Sequence, residues 1–136
     1  MIKEIITDQF FLSQKAKPAT IADQNIMVDL IDTLKANQER CVGLAANMIG
    51  NDKSIIVCLI KNKPEILVNP KITKKYLPYQ TTEGCLSLSQ TKATTRYRLI
   101  EVEYLTKDFK KQIKTFNDFE AQIIQHEIDH CQGILI

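Results

Sequence analysis

The sequence predicts an α+β fold in which mixed antiparallel β-strands pack around a C-terminal helix, with an amphipathic helix near the N-terminus. Three observations predict it: helical apolar spacing early in the chain, several short β-branched segments in the middle, and a glycine-free and proline-free segment near the end. The chain has 136 residues, of which 44% are hydrophobic and 25% charged. We therefore expect one domain over residues 1–136.

The first element is a helix over residues 21–36. Thr20 followed by Asp23 is typical of a capping box, in which each residue satisfies a backbone N–H of the other. Apolar side chains then recur at helical spacing: Ile26, Leu30 and Leu34. This spacing predicts one apolar face on an otherwise polar helix.

Four segments in the middle of the chain favour strands. Residues 54–60 are apolar and β-branched, which indicates a buried strand, and residues 66–70 predict a second one that ends at Pro70. Residues 98–105 partly alternate apolar with charged side chains. A turn and the segment 112–116 follow, so we expect a hairpin.

The last element is a helix over residues 118–131. Asn117 and Glu120 have the spacing of a helix start, and no glycine or proline interrupts the segment before Gly133. Because a glycine commonly follows a helix end, this segment has both of its boundaries marked.

Composition excludes several classes of protein. A formal net charge of +2 is too small to indicate nucleic-acid or membrane binding, and no apolar segment has the length of a membrane span. The N-terminal segment lacks the pattern of a signal peptide, and the four cysteines lack the spacing of a disulfide framework. We therefore expect a cytoplasmic protein with reduced thiols.

The motif HEIDH at residues 126–130 is a candidate metal-binding and catalytic motif. His126 and His130 are the only histidines in the chain, and positions four apart lie on one face of a helix. Two neutral imidazoles suit a divalent transition metal, which lowers the pKa of a bound water, while Glu127 accepts its proton. The motif therefore predicts a catalytic metal site.

Such a site needs a third protein ligand. Position 136, where an extended form of the motif has a third histidine, is Ile136, so the ligand is expected upstream. Cys131 lies about 100° around the helix from its neighbour His130, and Cys58 belongs to an apolar strand. Cys41 and Cys85 are both open candidates. We favour Cys85, because it follows a glycine in a segment of mixed polarity.

Three motifs together resemble a known family. EGCLS at 83–87, HEIDH at 126–130 and GLAANMIG at 43–50 are similar, in order and approximate separation, to the signature motifs of peptide deformylases. Enzymes of that family remove the formyl group from the N-terminal methionine of new bacterial and organellar polypeptides. The resemblance extends from about the first helix to the last residue.

The resemblance implies a ligand set and a base. Cys85, His126 and His130 would bind the metal, with Glu127 acting as general base and then as general acid. Ferrous iron is the expected ion, with Ni²⁺, Co²⁺ or Zn²⁺ also able to occupy such a donor set. For Glu83 two interpretations are open: it orients one of the ligands, or it is an exposed glutamate in a turn.

The resemblance also implies a substrate site. The backbone N–H of Leu86 and a glutamine amide would stabilise the formyl oxygen, but Met48 stands at the glutamine position and a thioether donates no hydrogen bond. Loss of one such donor lowers turnover by about 10²- to 10³-fold. The backbone at Val42 and Gly43 would pair with an extended substrate, and Ile123 would help to line the methionine pocket.

Further positions depart from the family pattern. Cys41, two residues before Gly43, stands where the family usually has a further glycine at the start of the first motif. Asn47 carries an amide beside Met48, but at a position that varies freely in the family. Lys92 stands where many members have a substrate-facing arginine, with Arg96 and Arg98 nearby.

These residues lead to a main hypothesis and two alternatives. The main one is a metal-dependent deformylase slowed by Met48, acting on formyl-methionyl N-termini of nascent polypeptides, without a membrane or nucleic-acid site. A transient contact with the ribosome stays open. The first alternative is a deformylase-like protein that binds metal and peptide with little catalysis. The second is an unrelated metallopeptidase with a third ligand other than Cys85.

Overall fold

Five strands form one antiparallel sheet in the order β1-β2-β3-β4-β5. The structure is a computed structural model that describes residues 1–135, without the side chain of Ser89, so Ile136 lies outside the described residues. The strands are β1 (Gly43–Ala45), β2 (Ile55–Ile60), β3 (Lys63–Cys85), β4 (Leu88–Leu105) and β5 (Lys111–Asn117). The α-helices are α1 (Gln9–Leu12), α2 (Gln24–Ala36) and α3 (Asp118–Cys131). The predicted α+β class is confirmed.

Helix α2 begins as predicted. The Thr20 hydroxyl accepts a hydrogen bond from the Ala22 N–H, and the Asp23 carboxylate accepts one from the Thr20 N–H at 2.8 Å. The first turn, Ile21–Asp23, is a 3₁₀ helix. The buried face consists of Ile26, Met27, Leu30, Thr33 and Leu34. It packs on the sheet mainly against β2.

The strands were predicted in the right places, but two of them are much longer. Strands β3 and β4 pair over most of their length and form a long hairpin that closes through a tight turn at Leu86 and Ser87. Their extension is largely exposed and polar, so apolar patterning does not reveal it. The predicted end at Pro70 is wrong. Proline is tolerated there because the pairing is irregular between Val68 and Lys71.

Helix α3 has the predicted bounds but not the predicted cap. The Asn117 side chain makes no capping bond, and Glu120 instead accepts the Lys61 N–H at 2.9 Å. After the helix, Gly133 adopts φ +78°, and a Cβ there would lie 2.3 Å from the Ser13 carbonyl oxygen. Glycine is therefore required where the chain packs against the N-terminal segment.

Helix α3 is buried along most of its length and packs against β1, β2 and β4. It therefore runs through the centre of the molecule and presents the HEIDH motif to the end of the β3–β4 hairpin. None of the described helices combines the length and the apolar character needed to span a bilayer.

Candidate metal centre

A cavity of about 230 Å³ opens between β1, the turn that joins β3 to β4, and helix α3. Every site residue predicted from the sequence lines this cavity except His130, which is fully buried. Four residues that no motif indicated also line it, namely Arg40, Thr82, Phe119 and Gln122, and the Phe119 side chain is exposed. The three motifs thus meet at one place.

The candidate ligands converge in this cavity. The ligand atoms of Cys85, His126 and His130 all lie within 4.8 Å of one another. The Cys85 Sγ is 3.3 Å from His130 Nε2, and the two imidazole centroids are 5.0 Å apart. One thiol and two imidazoles at this separation are a donor set that fits a divalent transition metal.

Glu83 holds the first imidazole. Its Oε1 lies 2.9 Å from His126 Nδ1, which leaves Nε2 as the nitrogen that can bind a metal. Gln122 donates to the Glu83 Oε2 at 2.9 Å. Burial raises the pKa of Glu83, but the hydrogen bonds from His126, Arg96 and Gln122 outweigh it and hold the pKa at about 2. Glu83 is therefore a carboxylate at neutral pH.

Arg96 joins the hairpin to helix α3. Its guanidinium lies 2.7 Å from Glu83 Oε1 and 2.6 Å from the Asp129 Oδ2, and the residue is only 4% exposed. Asp129 directly precedes His130, so Arg96 connects the neighbours of two candidate ligands. From the sequence, Arg96 was noted only as lying near the position of a substrate-facing arginine, and its burial behind the site was not predicted. Lys92 does not line the cavity.

The metal-free electrostatics favour a protonated imidazole. Burial lowers the pKa of His126, but hydrogen bonds with Cys85 and Glu83 raise it to about 10. A metal would have to displace this proton, because only a neutral imidazole is a ligand.

Glu127 lies between α3 and β1. Burial raises its pKa to about 7, and among the described residues its Oε1 has no hydrogen-bond partner. A Cβ on Gly43 would come within 3.0 Å of Glu127 Oε2 and 2.8 Å of Ile123 Cγ2. Glycine thus allows β1 to approach the helix closely, and Glu127 has a carboxylate oxygen able to accept a proton.

The two neighbours in the first motif have different surroundings. Met48 is 1% exposed, lines the cavity, and accepts the Ala45 N–H with its Sδ at 3.5 Å. The Asn47 amide donates to the carbonyl of His130 at 2.9 Å and to that of Leu12 at 3.4 Å. Asn47 therefore supports the end of helix α3, and its amide is not directed into the cavity.

The other cysteines are not in the ligand group. Cys58 and Cys131 are buried in the core, where burial raises the pKa of each thiol, that of Cys131 to about 12. Cys41 lines the cavity, but its Sγ lies 2.8 Å from the Gly43 carbonyl oxygen. Of the two cysteines that the sequence left open, Cys85 is the one placed beside both imidazoles.

The fold and the site together define a metal-dependent hydrolase. The model of the polypeptide deformylase family matches residues 2–136. A peptide deformylase of Clostridium beijerinckii is 54% identical over 136 residues, which are the whole of both chains. The chain belongs to the peptide deformylase family, whose members use a divalent metal.

Solved structures agree with this assignment. A peptide deformylase from Legionella pneumophila superposes with a TM-score of 0.89 at 31% identity, covering 99% of this chain and 83% of the other. A Met-Ala-Ser-bound class I type b peptide deformylase from Acinetobacter baumannii gives a TM-score of 0.86 at 28% identity, covering 99% and 97%.

Proposed function

We propose that this chain removes the formyl group from the N-terminal formyl-methionine of new polypeptides, with Cys85, His126 and His130 holding one divalent metal. The observation that carries the proposal is the convergence of these three ligand atoms within 4.8 Å, beside Glu127, in a cavity. A metal bound there would supply Lewis acidity toward the formyl oxygen and toward a water molecule.

Glu127 moves the protons of the reaction. It accepts a proton from the attacking water as the oxygen bonds to the formyl carbon, and it later gives that proton to the departing amine nitrogen. The C–N bond then breaks, and formate and a free N-terminal amine result. The buried position of Glu127 and its raised pKa of about 7 support this role, because a base that works near neutral pH should also be able to act as an acid.

Two residues face the oxygen on which charge develops. The backbone N–H of Leu86, in the turn after Cys85, is the proposed donor toward it. Met48 lines the same cavity, but its thioether has no proton to donate. We infer that Met48 slows the reaction, because one of the two oxyanion donors that the family resemblance implies is missing.

The remaining wall binds the substrate. The backbone at Val42 and Gly43 would pair with the extended peptide, and Ile123 would contact the methionine side chain beside Phe119. The bound peptide of the Acinetobacter baumannii relative begins with methionine. Its formylated form, formyl-Met-Ala-Ser, is therefore a suitable substrate for this chain.

The setting of the reaction follows from its substrate. Formylated N-termini arise on nascent chains, so we propose a cytoplasmic enzyme that acts near the ribosome and contacts it transiently. Ferrous iron is the proposed ion, while the donor set also suits Ni²⁺, Co²⁺ and Zn²⁺.

The test is formate release from formyl-Met-Ala-Ser after anaerobic reconstitution with Fe²⁺ or Ni²⁺. We expect turnover with one metal per chain. Glu127→Gln should keep the metal and lose about 10²- to 10⁴-fold in kcat, because the proton acceptor is removed. A fully loaded protein that releases no formate, both as it stands and after Met48→Gln, would contradict the proposal.

A further inference from the structure

Strand β1 has an open edge that faces the cavity. It is the first strand of the sheet and pairs only with β2 among the described strands. The Val42 carbonyl accepts the Leu59 N–H at 2.9 Å, so this carbonyl points toward β2 and away from the open side. Because backbone groups alternate along a strand, those of Gly43 and Ala45 point to the open side.

Two of these outward groups, the Gly43 carbonyl and the Ala45 N–H, bond to sulfur side chains of the same segment. The Cys41 thiol donates to the Gly43 carbonyl oxygen, with 2.8 Å between sulfur and oxygen. The Ala45 N–H donates to the Met48 Sδ at 3.5 Å. Cys41 and Met48 are also the positions at which the first motif departs from its family pattern.

A peptide N–H can replace the Cys41 thiol as the hydrogen-bond donor to the Gly43 carbonyl. Burial raises the pKa of this thiol to about 12, so it carries its proton at neutral pH and acts as a donor. A thiol is nevertheless a weak donor compared with a peptide N–H. The residue is only partly buried and lines the cavity. A peptide N–H arriving along the edge of β1 would therefore be the stronger partner for the same carbonyl.

We propose that Cys41 is a binding-controlling residue whose thiol occupies the Gly43 carbonyl until the main chain of a peptide substrate displaces it. The inference rests on the proposed function, since it assumes that the peptide adds to the edge of β1. Every peptide would have to break the same internal bond whatever its side chains. The effect should therefore fall on binding rather than on the chemical step.

The test compares three variants at one position. Cys41→Ala and Cys41→Val remove the donor with different side-chain volumes, and Cys41→Ser keeps a donor. We measure Kd for the unformylated peptide Met-Ala-Ser by calorimetry and KM for formyl-Met-Ala-Ser. Loss of one internal hydrogen bond should lower both values by about two- to ten-fold in the Ala and Val variants. Cys41→Ser keeps a donor that is stronger than the thiol and should bind no more tightly than the unmodified chain, and kcat should change less than KM in the Ala and Val variants.

The outcome separates this inference from the proposed function. If the Ala and Val variants bind Met-Ala-Ser no more tightly than the unmodified chain, the role of Cys41 is wrong, even where turnover is normal. An equal gain in Cys41→Ser would also overturn it, because the donor would then be irrelevant. Absence of formate release in every protein would contradict the proposed function instead, while Kd would still report on Cys41.

Discussion

The two walls of the cavity are built in different ways. The metal wall, which we define as Glu83, Cys85, Arg96 and the HEIDH segment 126–130, is held by buried charges whose carboxylate and guanidinium groups bond one another. The substrate wall, defined as residues 41–48, is held by neutral contacts, which are backbone groups, the Asn47 amide and two sulfur contacts. Charged hydrogen bonds are roughly twice as strong as neutral ones. One wall is therefore fixed before substrate arrives, whereas the other can exchange its partners.

This difference follows from what each wall must do. Metal ligands have to be placed before the ion binds, and surrounding hydrogen bonds keep them oriented. A wall that receives a peptide must instead release its own bonds when the peptide arrives. Strong internal partners on the edge of β1 would raise the free energy that binding has to overcome.

The largest expected effect comes from breaking the metal wall at Arg96. Arg96→Met leaves the carboxylates of Glu83 and Asp129 without their buried cation, so the free energy of unfolding should fall by about 3–5 kcal/mol. Metal affinity should fall by about 10- to 100-fold, because Glu83, which orients His126, loses the guanidinium that holds it in place. Urea unfolding and a metal competition assay would measure the two changes.

Arg98→Met is the matched control for that variant. The Arg98 side chain is exposed and lies over the Tyr79 ring, 4.7 Å from its centroid. Its removal should cost no more than about 1 kcal/mol. If Arg96→Met and Arg98→Met lost equal amounts of unfolding free energy and metal affinity, the buried charges would not be what holds the metal wall.

The next effect restores a donor to the substrate wall. Met48→Gln should raise kcat for formyl-Met-Ala-Ser by up to about 10²- to 10³-fold, because a side-chain amide can donate to the developing oxyanion. Met48→Leu keeps the volume without a donor and should leave kcat near that of the unmodified chain. Steady-state kinetics with measured metal content would decide. Similar rates in all three proteins would show that the thioether does not limit turnover.

A smaller effect concerns Glu127, the residue of the metal wall that lies against Gly43 of the substrate wall. Since burial raises its pKa from 4.5 to about 7, the metal-free fold favours the protonated acid. Its stabilising contribution is complete below pH 4.5 and is lost as pH rises through about 7, a change of about 3 kcal/mol. Glu127→Gln has no such titration. Urea unfolding of both metal-free proteins should show that the free energy of unfolding falls more between pH 4.5 and pH 8 in the unmodified chain than in Glu127→Gln. Parallel pH profiles of the two proteins would contradict the raised pKa of Glu127.

The sequence predicted the elements that carry their own local signal. Helix α3 was predicted because its segment lacks glycine and proline, and α2 because Thr20 and Asp23 cap it. Strand β1 has only three residues, too few for a periodic pattern, and the polar extensions of β3 and β4 are stabilised by pairing with each other. The predicted cap was wrong: the Asn117 side chain makes no capping bond, and Glu120 bonds to Lys61, a residue far away in sequence.

The residues of the candidate site that belong to a sequence motif could be predicted. The two histidines and Glu127 follow from their spacing, and Cys85 was favoured over Cys41 from the sequence alone. The buried role of Arg96 depends on the β3–β4 register, which pairs Tyr79 with Arg96 and Glu83 with Lys92. No sequence spacing gives that register. For the same reason, the contact of Cys41 with Gly43 became apparent only with strand β1 in place.

The most direct test of the site is the absorption spectrum and stoichiometry of the cobalt-loaded protein, with Cys41→Ala and Cys85→Ala compared in parallel. Both cysteines line the cavity, but only Cys85 belongs to the ligand group. We expect one Co²⁺ per chain and a near-ultraviolet thiolate-to-metal band in the unmodified chain and in Cys41→Ala, with both lost in Cys85→Ala. One tightly bound Co²⁺ with an unchanged band in Cys85→Ala would contradict the account.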